Sequence, residues 1–148
     1  METTELLRRV ALFEGLNDDE LRRVAQLCRE ARYQTGQLIT QQGQPGVEMF
    51  IVREGVVEVR ASQNPQGGPD TRPMLTLGAG QVVGEMALVD GGRRSASVRC
   101  ASDTTVNVIE REAFERLCQS DQHIGMVVYR NLAAELSFKL RHFNLARR

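Results

Sequence analysis

Between residues 31 and 110 the chain is cut into short β-type runs by glycine, proline and small polar residues, and this punctuation limits the fold more than any other feature. The runs are Leu38-Ile39-Thr40, Met49-Phe50-Ile51-Val52, Val56-Val57-Glu58-Val59, Met74-Leu75-Thr76-Leu77, Ser97-Val98-Arg99-Cys100 and Thr105-Val106-Asn107-Val108-Ile109. Thr35-Gly36, Gly43-Gln44-Pro45-Gly46, Glu54-Gly55, Gly78-Ala79-Gly80 and Ser102-Asp103 separate them. Short strands at close, roughly regular spacing point to an antiparallel roll, sandwich or barrel and not to βαβ units. The stretch from Ala61 to Arg72, with Pro65, Gly67, Gly68 and Pro69, reads as a mobile hairpin tip or, the favoured alternative, as disorder without function.

Helical periodicity brackets this region. Leu6, Leu7, Val10 and Ala11 recur at helical spacing, and Phe13 and Leu16 lead to a second start signal. There Asn17 can cap, Glu20 stands three residues on as in a capping box, and Leu21, Val24, Ala25 and Cys28 form the face of a helix reaching about Glu30. After Ile109, Ala113, Phe114, Leu117 and Cys118 make a short helix, and a longer one begins near Asp121. Val128, Leu132, Leu136 and Leu140 lie four apart, and Tyr129, Leu132, Leu136 and Phe143 follow a three-four alternation. That stripe is wider than one docking face needs, so the helix is expected to pack on the β-unit and to pair with a second chain; a single broad core face is the simpler alternative.

At 148 residues the chain fits one domain with a real core. It divides into N-terminal helices over 1–30, a β-unit over 31–110 and C-terminal helices over 111–148. Nineteen Lys plus Arg balance nineteen Asp plus Glu, so no global field draws the chain to nucleic acid or an anionic membrane. Cys28, Cys100 and Cys118 are odd in number and set in apolar surroundings, which suits buried thiols in a reducing compartment. The acidic start Met1-Glu2-Thr3-Thr4-Glu5 is no signal peptide, and no apolar run nears the roughly 18 residues of a membrane span. A soluble, cytoplasmic protein without membrane insertion is expected.

The chemistry concentrates in Gly84-Glu85-Met86-Ala87-Leu88-Val89-Asp90-Gly91-Gly92-Arg93-Arg94-Ser95-Ala96-Ser97-Val98. Gly84 permits a sharp turn, and Glu85 to Leu88 is helix material for about one turn, whose first N–H groups lack intrahelical partners. Such groups hold anions. Arg94 offers a planar donor fork to phosphate oxygens, whereas Glu85 is acceptor-only and suits sugar hydroxyls. Together they describe a nucleotide clamp, and the same residues would also serve a solvated polar hairpin.

Other chemistries fit less well. Gly78-Ala79-Gly80-Gln81-Val82-Val83-Gly84, with Asp103 about 20 residues on, matches a loose dinucleotide pattern, but that fingerprint needs a full helix and then a parallel strand. His123 and His142 lie in the last helices, away from the β-region where a metal site would gather. No nucleophile elbow or spaced carboxylate pair is present, so no enzyme is expected.

With its surroundings, the clamp resembles the phosphate-binding cassette of the cyclic nucleotide-binding domain family. Gly84-Glu85-Met86-Ala87-Leu88 and Arg94-Ser95-Ala96-Ser97-Val98 match its two halves at the usual separation. Gly36, Gly43, Phe50-Ile51-Val52 and Gly55-Val56-Val57-Glu58-Val59 look like its β-roll, and Phe114 with the final helix look like its B and C helices. The resemblance implies a mainly β fold: an antiparallel β-roll, double-stranded β-helix or jelly-roll-like, with N-terminal helices and C-terminal B and C helices. It implies that Arg94 binds a cyclic phosphate and that Glu85 accepts from the ribose 2′-hydroxyl. Gly84, Met86, Ala87, Ser95 and Ala96 would complete the pocket, and Lys139 and Leu140 stand where a base lid would fall. The ligand would be cAMP or cGMP, with no cofactor and no metal.

Three departures stand beside the match, one of them in the final helix, where the stretch near Lys139 to His142 that would cover the base lacks a small hydroxyl pair. Val83 occupies a position often filled by Phe, and Arg93 one often filled by Pro. The chain ends at Ala146-Arg147-Arg148, without the recognition helix that direct DNA reading needs. A stand-alone sensor is therefore expected, a homodimer through its last helix that signals to a protein effector. The alternative is an interaction domain that keeps the roll and the helix but binds no nucleotide.

Overall fold

The computed structural model describes residues 1–64 and 72–146, with side chains of the last helix described as far as His142. Helix α1 (Thr3–Arg8), a 3-10 turn (Ala11–Phe13) and α2 (Asp18–Ala25) lead into strands β1 (Arg29–Tyr33), β2 (Leu38–Thr40), β3 (Glu48–Glu54), β4 (Val57–Ala61), β5 (Arg72–Leu77) and β6 (Val82–Val83). A 3-10 turn (Glu85–Leu88) precedes β7 (Ser97–Cys100) and β8 (Thr104–Glu110), and helices α3 (Arg111–Ser120) and α4 (Gln122–Ala146) close the fold. The strands form two four-stranded antiparallel sheets, ordered β1-β8-β3-β6 and β2-β7-β4-β5. This is the expected antiparallel roll with helices at both ends.

The period of two along β3 divides the core. Met49 and Ile51 point to the helices, where they join Leu6, Leu7, Phe13, Leu21, Val24, Phe114, Ile124 and Leu132. Phe50 and Val52 point between the sheets and meet Val57, Val83, Val98, Cys100, Val106 and Val108. Both faces of the first sheet are thus covered, which is why Met49-Phe50-Ile51-Val52 reads as a continuous apolar run although the sheet is antiparallel. All four residues are fully buried.

The capping box is present as expected. Glu20 N–H donates to Asn17 Oδ1 and Asn17 N–H to Glu20 Oε1, both at 2.9 Å. The helix it starts does not reach Glu30, however. It ends at Ala25, and β1 begins at Arg29, within the stretch assigned to the N-terminal helices. Pairing of Arg29 to Tyr33 with Val108 to Thr104 overrides the helical spacing of Cys28. The hairpin between β4 and β5 is confirmed by the pairing of Ala61 with Arg72, and Pro65, Gly67, Gly68 and Pro69 lie outside the described residues.

The apolar stripe of the last helix is also redistributed. Val128 and Leu132 are fully buried in this chain's own core, and Tyr129 and Leu136 pack against it in part. Among the described residues, the large apolar side chains α4 leaves exposed are Met126, Phe138 and Leu140. The side chain of Phe143, and Arg147 and Arg148, lie outside the described residues. No helix among those described is long and apolar enough to cross a membrane. The three cysteines are unpaired, and burial pushes Cys28 up to about 12 and Cys118 up to about 11, so they are poor nucleophiles.

Candidate functional site

The link from β6 to β7 leaves the first sheet and enters the second, and it wraps the mouth of a cavity of about 860 Å³. That volume lies within the roughly 300–1,000 Å³ usual for small-molecule sites. Gly84, Glu85, Met86, Ala87, Arg94, Ser95 and Ala96 all line it. The far wall is apolar, supplied by Val59, Leu75, Leu77, Val83 and Val98 of the roll, and Glu135 and Lys139 of α4 lean over one side. Leu140, the second of the two expected lid residues, does not line the cavity and is 63% exposed.

The turn is held by specific contacts. Gly84 sits at φ +76, in the left-handed region that glycine enters without penalty, and its carbonyl accepts from Ala87 N–H at 3.1 Å. Ala87 and Leu88 are buried, and Leu88 belongs to the core that faces the helices. The Leu88 carbonyl also accepts from Tyr129 Oη at 3.3 Å, which joins the cassette to α4. On the other half, Arg94 N–H donates to the Gln44 carbonyl at 2.7 Å and Gly43 N–H to the Arg94 carbonyl at 2.9 Å. The Gly43-Gln44-Pro45-Gly46 break, read from sequence only as a turn, is therefore the cradle of the arginine.

Arg94 is half-buried. Its Nη2 donates to the Glu48 carbonyl at 2.8 Å, and its guanidinium carbon lies 5.6 Å from the centroid of the Phe50 ring. Among the described residues no carboxylate forms a salt bridge with it. Burial lowers its pKa, with the Glu48 charge acting in the opposite sense. The side chain passes so close to the turn that a Cβ on Gly84 would lie 2.5 Å from Nη1. A Cβ on Gly46 would lie 3.4 Å from Nε and 3.0 Å from the Gly92 carbonyl oxygen. Gly84 leaves room for the arginine, and Gly46 for the Gly92 carbonyl beside it.

Arg93 takes a different course. It is exposed and its Nη1 donates to the Gly43 carbonyl at 2.7 Å, so it fastens the loop. Glu85 keeps a side chain only 14% exposed and meets Lys139 Nζ at 3.4 Å. Burial raises its carboxyl pKa above the usual range and Glu135 adds to the rise, while its own backbone N–H and Lys139 act against it. The site therefore carries a cation and an anion, each partly stripped of water and each facing the same cavity.

Sequence reasoning missed the Glu48 carbonyl, the Phe50 face, Gly46 and Glu135. A carbonyl leaves no mark in residue type, and Phe50 was read as a core strand residue, which it also is. Of the residues set aside as a dinucleotide pattern, Gly78 to Gly80 turn between β5 and β6, with Gly80 at the cavity, and Asp103 stands apart, accepting from Thr35 N–H at 2.9 Å. His123 pairs with Glu20 at 2.5 Å, and the His142 ring lies 4.0 Å from that of Phe138.

Comparison with known proteins agrees with this geometry. The family model for the cyclic nucleotide-binding domain matches residues 30–121. Glutaminase 1 of Bradyrhizobium diazoefficiens is 35% identical over 139 residues, covering 94% of this chain and 21% of that protein. The crystal structure of Thermus thermophilus catabolite activator protein superposes with a TM-score of 0.79 at 32% identity, over 92% of this chain and 61% of that one. The regulatory domain of Toxoplasma gondii PKA with cAMP superposes at 0.75 and 27% identity, over 93% of this chain and 49% of that one. The chain thus spans about a fifth of the glutaminase and under two thirds of either structure.

The environment of Glu85 has a pH signature. The folded carboxyl holds its proton to higher pH than the unfolded one, so the unfolded chain ionises first. Stability is unaffected below about pH 4.5, falls as pH rises from there through the raised folded pKa, and levels off above it. Glu85→Gln removes that loss. In urea denaturation the stability of the variant relative to wild type is expected to grow with pH across this window; a difference independent of pH contradicts the burial of this charge.

Proposed function

The chain belongs to the cyclic nucleotide-binding domain family, and from that premise we propose that its cavity binds a 3′,5′-cyclic mononucleotide, cAMP or cGMP. The observation that carries the proposal is Arg94: a half-buried guanidinium beside the cavity with a carbonyl and, among the described residues, no hydrogen-bonded carboxylate as its acceptor. A cation partly removed from water and without a salt bridge is costly, and an anionic ligand offsets that cost. The cyclic phosphate has one negative charge and oxygens that suit the fork. Glu85 can then accept from the ribose 2′-hydroxyl, since an ionised carboxylate only accepts. The Gly84 to Ala87 backbone, Ser95 and Ala96 enclose the phosphate and sugar, and the apolar wall from Val59 to Val98 receives the purine. Lys139 of α4, which lines the cavity, is the proposed cover over the base.

In this reading the domain is a sensor that does no chemistry. Its output is a change in what α4 contacts, and a ligand shifts that balance only through its difference in affinity for the two arrangements. Met126, Ala133 and Leu140 recur every seven residues on the exposed side of α4, which supports pairing with a second copy of the chain. A protein effector, rather than DNA, fits the zero net charge. The competing reading, an interaction domain without a nucleotide, leaves the Arg94 charge without a purpose.

Calorimetry tests the site. Charge-assisted hydrogen bonds contribute about 1.5–3 kcal/mol each, so Arg94→Ala is expected to weaken cyclic nucleotide binding at least about tenfold. Arg94→Lys is expected to restore only part of it, because a point charge does not replace a planar fork. Unchanged affinity in Arg94→Ala sinks the assignment. For the pairing of α4, sedimentation of Leu140→Glu is expected to show monomers where wild type shows dimers; the same mass for both proteins contradicts it.

A further inference from the structure

Strand β7 lies between β2 and β4, with Val98 opposite Thr40 on one side and Ser97 opposite Arg60 on the other. Just before Ser97 the chain is outside the sheet, since Ser95 and Ala96 line the cavity. There the segments that follow β2 and β4 are joined by a side chain instead of a strand. Gln42 supplies it, and the residue is buried. Its Oε1 accepts from Ser62 N–H at 2.8 Å, and its Nε2 donates to the carbonyls of Ser62 at 3.1 Å and Asn64 at 3.0 Å. The amide thus gives Ser62 both of the bonds that a neighbouring strand would give. One N–H and two carbonyls as partners leave a single orientation for it.

Gln42 also stands at the root of the loop that cradles Arg94. Its backbone N–H donates to Ser97 Oγ at 2.9 Å, which ties it to the first residue of β7. Beyond it, Gly43 N–H donates to the Arg94 carbonyl, Arg94 N–H to the Gln44 carbonyl and Gly46 N–H to the Gly92 carbonyl, while the Gly43 carbonyl accepts from Arg93 Nη1. Those bonds join one loop to another. The amide of Gln42 joins the pair to the end of β4, and so to the roll.

We propose that Gln42 is a positioning residue for Arg94: its buried amide, set between the ends of β2 and β4, fixes the loop that holds the arginine, so that the guanidinium is in place before a ligand arrives. This rests on the cyclic nucleotide reading of the cavity. Gln42 acts without touching the ligand, since it does not line the cavity. An apolar side chain of similar length fills the space but gives up all three amide bonds. Cradle and arginine must then be ordered at the moment of binding, and that ordering is taken from the affinity.

The test compares wild type with Gln42→Met, with and without ligand. In the ligand-free variant, amide hydrogen exchange is expected to quicken at Gly43, Gly46 and Arg94, while Val52 in β3 keeps its protection. The Arg94 Nε–Hε signal in the NMR spectrum, assigned by its loss in Arg94→Ala, is expected to shift or broaden. In calorimetry the folded variant is expected to bind cAMP or cGMP about two- to tenfold more weakly than wild type. A role in stability alone moves neither the arginine signal nor the affinity of the folded protein. Equal affinity, or an Arg94 signal that the substitution leaves in place, therefore overturns the proposal. Should Gln42→Met fail to fold, Ser97→Ala, which removes only the acceptor of the Gln42 N–H, carries the same comparison with the same expected directions. If no cyclic nucleotide binds wild type, the cavity reading fails, and the exchange and the arginine signal without ligand still decide whether Gln42 holds the cradle.

Discussion

Arg94 lies against the ring of Phe50 and donates to the carbonyl of Glu48, and much of the molecule is arranged around that one guanidinium. Strand β3 supplies both partners from successive turns of its pleat. Gly84 holds a left-handed φ and its missing Cβ leaves room for the arginine, while a Cβ on Gly46 would press on the Gly92 carbonyl of the cradle. The loop from Gln41 to Gly46 exchanges backbone hydrogen bonds with Gly92 and Arg94, which fixes the base of the side chain before any ligand is present. In the proposed reading a charge so prepared serves as a preorganised anion site, with the ordering cost met in folding and not at the moment of binding.

The same segment that holds the charge is built into the helical core. Leu88 is buried among residues of α1, α3 and α4, and its carbonyl accepts from Tyr129. At its start α4 is tied down by the Glu20–His123 pair and by the Arg23–Asp121 pair just ahead of it. Farther along, burial thins and then stops. One helix thus runs from a firmly packed end to an end held by little besides an ion pair at the cavity, and local stability is expected to fall in the same direction. A structure graded in this way can move its far end without disturbing its core.

Much of this was legible in the residues. The alternation of β3, the capping box at Asn17 and Glu20, and the glycine breaks all follow from local rules, and the two cassette halves stand out because small residues and opposite charges are rarely placed so close between apolar runs. Strand β1 was hidden because Arg29-Glu30-Ala31-Arg32-Tyr33 is mostly charged and exposed, and its strand state comes from pairing with β8. Two-residue β6 has no pattern to show. On α4 the apolar positions were visible, but which of them turn inward depends on where the helix docks: Val128 and Leu132 went to this chain's core and Leu140 did not. In the site, the side-chain charges were readable and their partners were not, since a backbone carbonyl and a ring face carry no distinctive spacing.

Thermal unfolding in the presence of ligand tests the central claim most directly, because a molecule that binds only the folded state must stabilise it, by about 2.7 kcal/mol at a hundredfold excess over Kd. The comparison that isolates the Arg94 charge is a cyclic nucleotide against the nucleoside of the same base, which keeps the sugar and purine but lacks the phosphate. cAMP or cGMP at millimolar concentration is expected to raise the midpoint, and adenosine or guanosine to leave it nearly unchanged. No shift with either cyclic nucleotide, or equal shifts with and without the phosphate, would contradict it.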